Sequence, residues 1–328
     1  MNKKIINLIF RASGYSIEMV FNTLIRDIEI DGTFEVVKIH LPYKKANIAC
    51  IIFNIIFVMQ KKYPINHITG DTHYVGLGLN SNNSILTIHD CVMMYRTSGI
   101  KKWLFKKLWL DMPIKNAKFV TTISNKTKND ILKFTNCPEE KIIVIPNPVN
   151  PIFKYTPSTF NKKKPRILHF GNADHKNTDR VISALKNMDV ELVIIGKSAL
   201  PTYESSSFIF LSNLSNQEIV EQYILCDIVL FPSWFEGFGM PIIEGQSVGR
   251  VVITSNIEPM TEVAGNGAHF VDPFDMDSIR NGVKKVIDDA AYRNVLISLG
   301  LENIKKYQSE VIAQQYLNLY KKIIAKNV

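Results

Sequence analysis

Short runs rich in β-branched residues alternate with longer segments of helical periodicity, and this alternation occurs twice along the chain. The first half contains IINLIF, EVVKIHL, HITG, ILTIHD and FVTTIS. The second half contains RILHFG, VELVIIG, FIFLS, DIVLFPS and RVVITS. Strands that alternate with helices are typical of βαβ units, in which the strands pair in parallel. The sequence therefore predicts an α/β fold with two doubly wound parallel sheets.

The segment PNPVNPIFKYTPSTFNKKKP, residues 146–165, separates the two halves. It contains five prolines and a basic cluster, which is typical of a linker between domains. The stretch from about Glu302 to Lys326 has apolar residues at helical spacing. Because it follows the second set of strands, we predict a helix that packs back on the first domain. The predicted division is 1–158, 159–305 and a terminal helix at 306–328.

Composition limits the compartment and the class of partner. Of the 328 residues, 46% are hydrophobic, and 39 Lys and Arg against 30 Asp and Glu give a net charge of +9. A basic globular chain favours anionic partners such as phosphorylated ligands, lipid headgroups or nucleic acid. The four cysteines are widely spaced and contain no CxxC pair, so they indicate neither a zinc site nor a disulfide framework. We predict a cytoplasmic protein.

Two segments could be taken for membrane-inserting ones, and neither fits. MNKKIINLIF resembles a first strand more than a signal peptide, because its apolar part is short and continues into Arg11. The longest apolar run, residues 48–59, contains Asn54 and is shorter than the roughly 20 residues that span a bilayer. No transmembrane helix is predicted.

The motif FEGFGMPIIE, residues 235–244, places two glutamates around glycines and a proline. It follows the apolar strand DIVLFPS, and Pro241 lies where a helix can begin. Strand, glycine turn and helix start together form a site for phosphate at a helix N-terminus. Carboxylates accept hydrogen bonds from hydroxyl pairs, so Glu236 and Glu244 suit a nucleotide sugar. The alternative is that both are ordinary surface glutamates.

EGFGMPIIE resembles the E-x7-E motif of family 4 glycosyltransferases, which are retaining enzymes that use nucleotide-sugar donors without a metal. ILHFGNADHKNTDRVISAL is similar to the family's strand, glycine and lysine element, and LTIHD to its first-domain His-Asp motif. VTTISNKTKNDIL and VIPNPVN resemble the elements that lead to the interdomain linker. The resemblance covers most of the chain and is most specific in the second half.

The resemblance implies a GT-B architecture: two Rossmann-like domains facing a cleft, an acceptor-binding domain at 1–158, and a nucleotide-sugar-binding domain at 159–305. Glu236 would contact the donor sugar, Lys176 would neutralise the diphosphate, and His89 would approach the reacting centre; these three are the predicted catalytic residues. The predicted donor-binding residues are Gly171, Asn172, Asn213, Leu214, Gly237, Phe238, Gly239, Met240 and Glu244. The predicted acceptor-binding residues are Gly14, Tyr15, Asp71, His73 and Asp90.

Two places depart from the family pattern. Asn172 stands where the family commonly has an arginine, so either His175 or Arg180 compensates, or diphosphate binding rests more heavily on Lys176 and the helix amides. RASGYSIEMVF offers only Gly14 where the family often has two adjacent glycines, and an ordinary strand-to-helix connection is the alternative there. His89, Asp71 and His73 also have the alternative of purely structural roles.

Two further segments require interpretation. FDMDSIRNGV contains a D-x-D pattern, but it directly precedes an amphipathic helix, and we interpret Asp275 as a helix cap rather than a metal ligand. KKWLFKKLW, residues 101–109, interleaves lysines with aromatic residues, and a membrane-surface helix and a core helix with a basic face remain equal alternatives.

The resemblance thus implies a metal-independent and cofactor-independent hexosyltransferase of bacterial polysaccharide or lipopolysaccharide synthesis. Its expected partners are a nucleotide-sugar donor and a glycan or lipid-linked acceptor, with peripheral contact to an anionic membrane at the cytoplasmic face. A GT-B nucleotide-sugar epimerase is the first alternative. A basic nucleic-acid-binding protein is less favoured, because no RNP, zinc-finger or basic-zipper pattern occurs; nucleic acid is not an expected partner.

Overall fold

The chain forms two compact units in this computed structural model, which describes residues 3–12, 15–171, 173–196 and 208–325. The first unit contains the chain up to Pro148 and the segment from Ser309 onward. The second unit is Val149–Gln308.

Strands and helices alternate in both units. The first has strands β1 Lys4–Phe10, β2 Phe34–His40, β3 Ile65–Ile68, β4 Ser84–Ile88, β5 Phe119–Thr122 and β6 Ile142–Val144, and helices α1 Tyr15–Ile30, α2 Ile48–Met59, α3 Val92–Arg96, α4 Gly99–Phe105, α5 Met112–Lys115 and α6 Asn125–Phe134. The second has strands β7 Arg166–Phe170, β8 Glu191–Ile195, β9 Phe208–Leu211, β10 Ile228–Phe231, β11 Val251–Ser255 and β12 Ala268–Val271, and helices α7 Thr178–Leu185, α8 Asn216–Leu225, α9 Met240–Val248, α10 Met260–Ala264, α11 Met276–Asp288 and α12 Ala290–Asn303. Helix α13, Ser309–Ala325, ends the described chain.

Each unit is built on one six-stranded parallel sheet within the described residues. The strand orders are β2-β1-β3-β4-β5-β6 and β12-β11-β10-β7-β8-β9. The winding direction reverses between β1 and β3 in the first sheet and between β7 and β10 in the second. Ligands of doubly wound sheets bind at such reversals, beyond the carboxyl ends of the strands. The predicted α/β class with two parallel sheets is confirmed.

Helix α13 packs in the core of the first unit. Tyr316 and Tyr320 are buried in one cluster with Phe21 and Phe34. The hydroxyl of Tyr320 is 2.8 Å from His67 Nδ1. Burial lowers the pKa of His67 to about 3, so this contact is between neutral groups at neutral pH.

The backbone of the proline-rich segment after Pro148 is hydrogen-bonded to side chains of the second unit. Ser247 Oγ donates to the carbonyl of Phe153 at 2.6 Å, and Arg250 donates to the carbonyl of Thr156 at 2.8 Å. The segment is therefore part of the second unit, and the division lies ten residues before the predicted end of the first domain at residue 158.

The alternation of β-branched runs with helical segments did not reveal two strands, and it did not show that the carboxyl-terminal stretch is interrupted. β6 is only three residues long, and β12 has the sequence AHFV, in which only Val271 is β-branched, so neither shows a recognisable strand pattern. The stretch predicted as one helix is divided, because α12 is followed by a 3-10 turn, Ile304–Tyr307, and then by α13. The predicted cap is confirmed: Asp275 accepts a hydrogen bond from the amide of Asp277 at 2.9 Å.

Candidate active site

The β10–α9 connection has the predicted strand, glycine turn and helix start. Gly239 precedes α9 with a φ of 107°, a conformation that residues with a Cβ rarely adopt. Pro241 occupies the first turn, where its missing N–H costs nothing. The side chain of Phe238 is buried against Tyr307, with ring centroids 5.7 Å apart. This anchor fixes the loop backbone at the start of the helix.

Glu236 lies at the centre of a polar cluster. Its Oε1 accepts hydrogen bonds from Lys176 Nζ at 2.7 Å and from Ser233 Oγ at 2.6 Å. The Nε2 of His175 is 4.0 Å from the same oxygen. The side chains of Glu236 and Lys176 are only 11% and 18% exposed, so water screens their attraction weakly. Both bonds use Oε1, which leaves Oε2 without a partner among the described residues.

The loop after β7 is shaped to hold Lys176 in this cluster. A Cβ at Gly171 would lie 2.7 Å from Thr178 Oγ1, so the strand end and α7 meet at a distance that only glycine permits. Asn177 has a φ of 68°. Its side-chain amide donates to the carbonyls of Pro232 at 3.0 Å and Pro273 at 2.6 Å. Asn177 thus ties the Lys176 loop to the loop after β10.

Two residues could replace an arginine at position 172. They are Arg180 and His175, and their surroundings differ. Arg180 donates to Asn177 Oδ1 at 3.0 Å and lies over the Phe274 ring at 5.7 Å. It therefore supports the loop, whereas His175 lies beside Glu236. Asn172 itself is outside the described residues.

Glu244 and Tyr223 form a second pair, one helical turn into α9. The hydroxyl of Tyr223 donates to Glu244 Oε2 at 2.6 Å. Burial raises the pKa of Glu244 to about 7, although the hydrogen bond from Tyr223 and the charge of Lys176 act in the opposite direction. The other oxygen, Oε1, has no partner among the described residues and can accept from a ligand.

Two further predicted donor-binding residues lie away from the strand reversal, beyond the carboxyl end of the edge strand of the second sheet. Asn213 and Leu214 follow β9, the edge strand, and Asn213 has a φ of 56°. Ser215 then caps α8 in a capping box with Glu218. Asn213 is exposed and Leu214 half-buried.

The second unit therefore brings together most of the predicted donor residues at its strand reversal. Lys176 follows β7 and Glu236 follows β10, the two strands that flank the reversal. A half-buried cation close to the start of a helix is suited to an anionic group such as a diphosphate, and a carboxylate with a spare oxygen can accept hydrogen bonds from hydroxyls. The sequence did not indicate Ser233 or Tyr223; the only signal for Tyr223 was its helical spacing from Val220 on the buried face of α8.

His89 directly follows β4 in the first unit. Its Nε2 is 2.7 Å from the carbonyl of Thr69, which can only accept, so this nitrogen carries the proton. Its backbone carbonyl accepts from Thr127 Oγ1 at 3.0 Å. Burial lowers the pKa of His89, so the ring is neutral at neutral pH. The Nδ1 atom then carries a lone pair that can accept a proton or a hydrogen bond.

Asp71 lies at the strand reversal of the first sheet. Its carboxylate pairs with Arg11 at 2.7 Å, and both side chains are about half exposed. Together with Ser16, Glu18 and Thr69 they line a small hollow of about 120 Å³. Polar groups of both signs around a hollow suit a hydroxyl-rich ligand.

The other predicted acceptor residues that the structure describes, His73, Asp90 and Tyr15, do not line this hollow. His73 is buried with its Nδ1 2.7 Å from the carbonyl of Trp109, and burial lowers its pKa to about 4. Asp90 is exposed and accepts from the amide of Val92 at 2.8 Å, which starts α3. Tyr15 begins α1. Gly14 lies outside the described residues.

Within the described part of the chain, no group of three or more His, Cys, Asp or Glu residues is arranged to hold a metal ion. Among the same residues, no helix is long and apolar enough to cross a bilayer.

The chain matches two family models in succession. The model for glycosyltransferase family 4 matches residues 59–153, and the model for glycosyl transferases group 1 matches residues 154–302. The O-antigen chain mannosyltransferase RfbU of Salmonella typhimurium is 29% identical over 255 residues, which are 71% of this chain and 70% of RfbU. The O-antigen chain mannosyltransferase B of Escherichia coli is 30% identical over 112 residues, 34% of this chain and 29% of that protein.

Solved structures show the same fold. A sucrose-phosphate synthase from Thermosynechococcus elongatus has a TM-score of 0.81 at 16% identity, covering 99% of this chain and all of that one. WaaG, a glycosyltransferase involved in lipopolysaccharide biosynthesis, has a TM-score of 0.71 at 13% identity, covering 96% and 99%.

These features define the protein as a glycosyltransferase of the GT-B fold. Within that class, the chain is similar to glycosyltransferase family 4 in its first half and to glycosyl transferases group 1 in its second half.

Proposed function

We propose that the protein transfers a hexosyl unit, with retention and without a metal, from a nucleoside-diphosphate sugar to a glycan or lipid-linked acceptor. The observation that supports this proposal most is the Lys176–Glu236 pair beside the start of α9. It combines a cation for a diphosphate with a carboxylate whose second oxygen is available for sugar hydroxyls. Glu244, with Oε1 available, would accept from the ribose diol.

The chemistry requires stabilisation of a leaving group. The bond between the anomeric carbon and the diphosphate oxygen breaks through an oxocarbenium-like state, and negative charge grows on the diphosphate. Lys176 and the first amides of α9 would stabilise that charge, as donors do in an oxyanion hole. The acceptor oxygen then bonds to the same face of the anomeric carbon, and its proton passes to the departing diphosphate.

The relatives suggest the biological setting. RfbU and mannosyltransferase B are O-antigen mannosyltransferases, and a Campylobacter jejuni relative, 26% identical over 51% of this chain and 46% of its own length, acts on a diphospho-undecaprenol acceptor according to its name. We therefore assign this protein to bacterial surface polysaccharide synthesis at the cytoplasmic face of the membrane. Asp71 and His89 in the first unit would contact the acceptor.

A thermal-shift screen with UDP, GDP, ADP, CMP and dTDP, with and without EDTA, tests the donor site. A nucleotide at about 100 times its Kd stabilises the folded state by about 2.7 kcal/mol. We expect one nucleoside diphosphate to raise the midpoint regardless of EDTA, and Glu244→Ala to remove the shift. Glu221→Ala, which removes an exposed glutamate of α8, is the matched control and should keep it. A shift abolished by EDTA would contradict metal independence, and no shift from any nucleotide would contradict the donor site.

The raised pKa of Glu244 predicts a pH dependence for nucleotide binding. The ribose hydroxyls donate, so the deprotonated carboxylate is the binding form, and with a pKa of about 7 it is half-populated at neutral pH. Affinity should rise by up to about tenfold between pH 6 and 8, and binding at pH 6.5 should release a proton. Calorimetry in buffers of different ionisation enthalpy measures both. In Glu244→Gln only the titration of the nucleotide itself should remain; an unchanged profile would exclude Glu244.

The raised pKa of Glu244 affects the free energy of unfolding in the opposite direction, because this contribution falls as the pH rises whereas nucleotide affinity increases. A carboxyl group whose pKa is higher in the folded state than in the unfolded state holds its proton longer in the folded state. Its contribution to the free energy of unfolding is therefore greatest at low pH and declines as the pH rises from about 4.5 to 7.

A further inference from the structure

Helix α2 presents an apolar face to solvent. Ile48, Ile52, Phe53, Ile56 and Met59 are between 44% and 78% exposed. They recur at intervals of three and four residues, so they form one stripe along the helix. The helix contains no charged residue. Surface helices normally direct polar side chains outward, and a continuous apolar stripe marks an interaction surface.

The opposite face of α2 is already fixed to the first unit. Asn54 accepts from the amide of Tyr43 at 3.1 Å and donates to the hydroxyl of Tyr74 at 2.8 Å. Val58 is buried, and a Cβ at Gly78 would lie 2.7 Å from the carbonyl of Ile55. The helix therefore cannot rotate to bury its outer stripe in its own core.

The charges around α2 indicate the partner. Lys44 and Lys45 precede the helix, Lys61 and Lys62 follow it, and no acidic residue occurs from residue 36 to residue 70. Lys44, Lys45 and Lys62 form no ion pair with any described residue, and Lys61 lies over the ring of Phe57 at 5.4 Å. An apolar stripe with lysines at both ends matches a bilayer surface, where acyl chains lie beneath anionic headgroups.

We propose that the outer face of α2 docks the first unit on an anionic lipid bilayer, with Ile52, Phe53 and Ile56 entering the headgroup region. This proposal locates the membrane contact within the proposed function, and it requires neither donor nor acceptor to be bound.

Helix α4 is a weaker candidate for the same contact. Ile100, Trp103 and Leu104 are exposed there. However, Lys106 and Lys107 both pair with Asp111, at 2.6 and 3.3 Å, which cancels part of the local positive charge. We therefore assign the main contact to α2.

Vesicle co-sedimentation tests the proposal with the full chain and no nucleotide. Wild-type protein should bind vesicles that mix phosphatidylglycerol with phosphatidylcholine, and pure phosphatidylcholine only weakly. Ile52→Gln with Ile56→Gln should weaken binding at least about tenfold. Val295→Gln with Leu299→Gln is the matched control, because both side chains are exposed on α12 at the same spacing. This control should bind like wild type.

A second pair of variants separates charge from apolar contact. Lys44→Gln with Lys45→Gln should weaken binding roughly ten- to thirtyfold, with the greatest effect at low salt. Lys162→Gln with Lys163→Gln removes an adjacent exposed lysine pair from the second unit and should have little effect. Nucleotide thermal shifts should be unchanged in all four proteins, so a defect here differs from failure of the donor site.

Three results would overturn the proposal: no binding to anionic vesicles, equal binding by the α2 variants and their controls, or a dimer in lipid-free light scattering that the Ile52 and Ile56 changes dissociate. If these changes unfold the protein, backbone amide hydrogen exchange of the wild-type protein, measured with and without vesicles, tests the proposal instead. Vesicles should slow exchange in residues 48–59, and exchange unaffected by vesicles would overturn the proposal.

Discussion

Replacing Lys176 by alanine should lower kcat/KM by about 10²- to 10³-fold, equivalent to roughly 2.7–4 kcal/mol of transition-state stabilisation. Lys176 is the cation at the strand reversal of the second unit, 2.7 Å from Glu236 and 4.7 Å from the centre of the Phe231 ring. An ammonium has three N–H donors, so Lys176 can keep its bond to Glu236 and still donate to a diphosphate. Its effect should fall mainly on kcat, because charge on the leaving group develops in the transition state.

The variant also removes the partner of a buried carboxylate, and the measurement must separate the two effects. In Lys176→Met with Glu236→Gln, neither buried charge remains unpaired. If Lys176 acts on the diphosphate, this double variant should be at least as slow as Lys176→Ala. Lys284→Ala, at an exposed lysine of α11, should turn over like wild type. Recovery of activity in the double variant would mean that Lys176 serves only to neutralise Glu236.

The sequence predicted the positions of candidate site residues where one short segment forms both the local structure and the site. A strand followed by glycines and a proline can form one local structure, so the β10–α9 connection and the positions of its two glutamates were predictable. Ten strands were predictable because β-branched runs of four or more residues have a visible pattern. β6 has only three residues, and β12, with the sequence AHFV, has only one β-branched residue.

Contacts between elements distant in the chain were not predictable in the same way. Ser233 and Lys176 meet at Glu236 because β7 and β10 are neighbours, and sheet order is not encoded in the spacing of any one segment. The proline-rich segment looked like a free linker because composition does not reveal the bonds that Ser247 and Arg250 make to its backbone. Likewise, helical spacing places Tyr223 on the buried face of α8 but does not show which side chain its hydroxyl meets.

Replacing Tyr223 by alanine should lower the free energy of unfolding of the second unit by about 3–5 kcal/mol. The side chain is fully buried, and its ring packs against Phe153 and Phe170 with centroid distances of 5.2 and 5.6 Å. Truncation would leave a cavity between α8 and its neighbours. Urea denaturation followed by circular dichroism measures the loss. Tyr155→Ala, at a tyrosine that is 57% exposed, should cost less than about 1 kcal/mol, and an equal loss in both would contradict the assignment.

Tyr223→Phe separates packing from the function of the hydroxyl. The ring remains, so most stability should remain, but Glu244 loses the hydrogen bond that counteracts the effect of burial on its pKa. The pKa of Glu244 should then rise above about 7, and the pH at which nucleotide affinity reaches half of its maximum should move upward with it. An unshifted midpoint would show that Tyr223 is only a core residue. A shifted midpoint would show that a side chain outside the E-x7-E motif sets the charge of the motif's second glutamate.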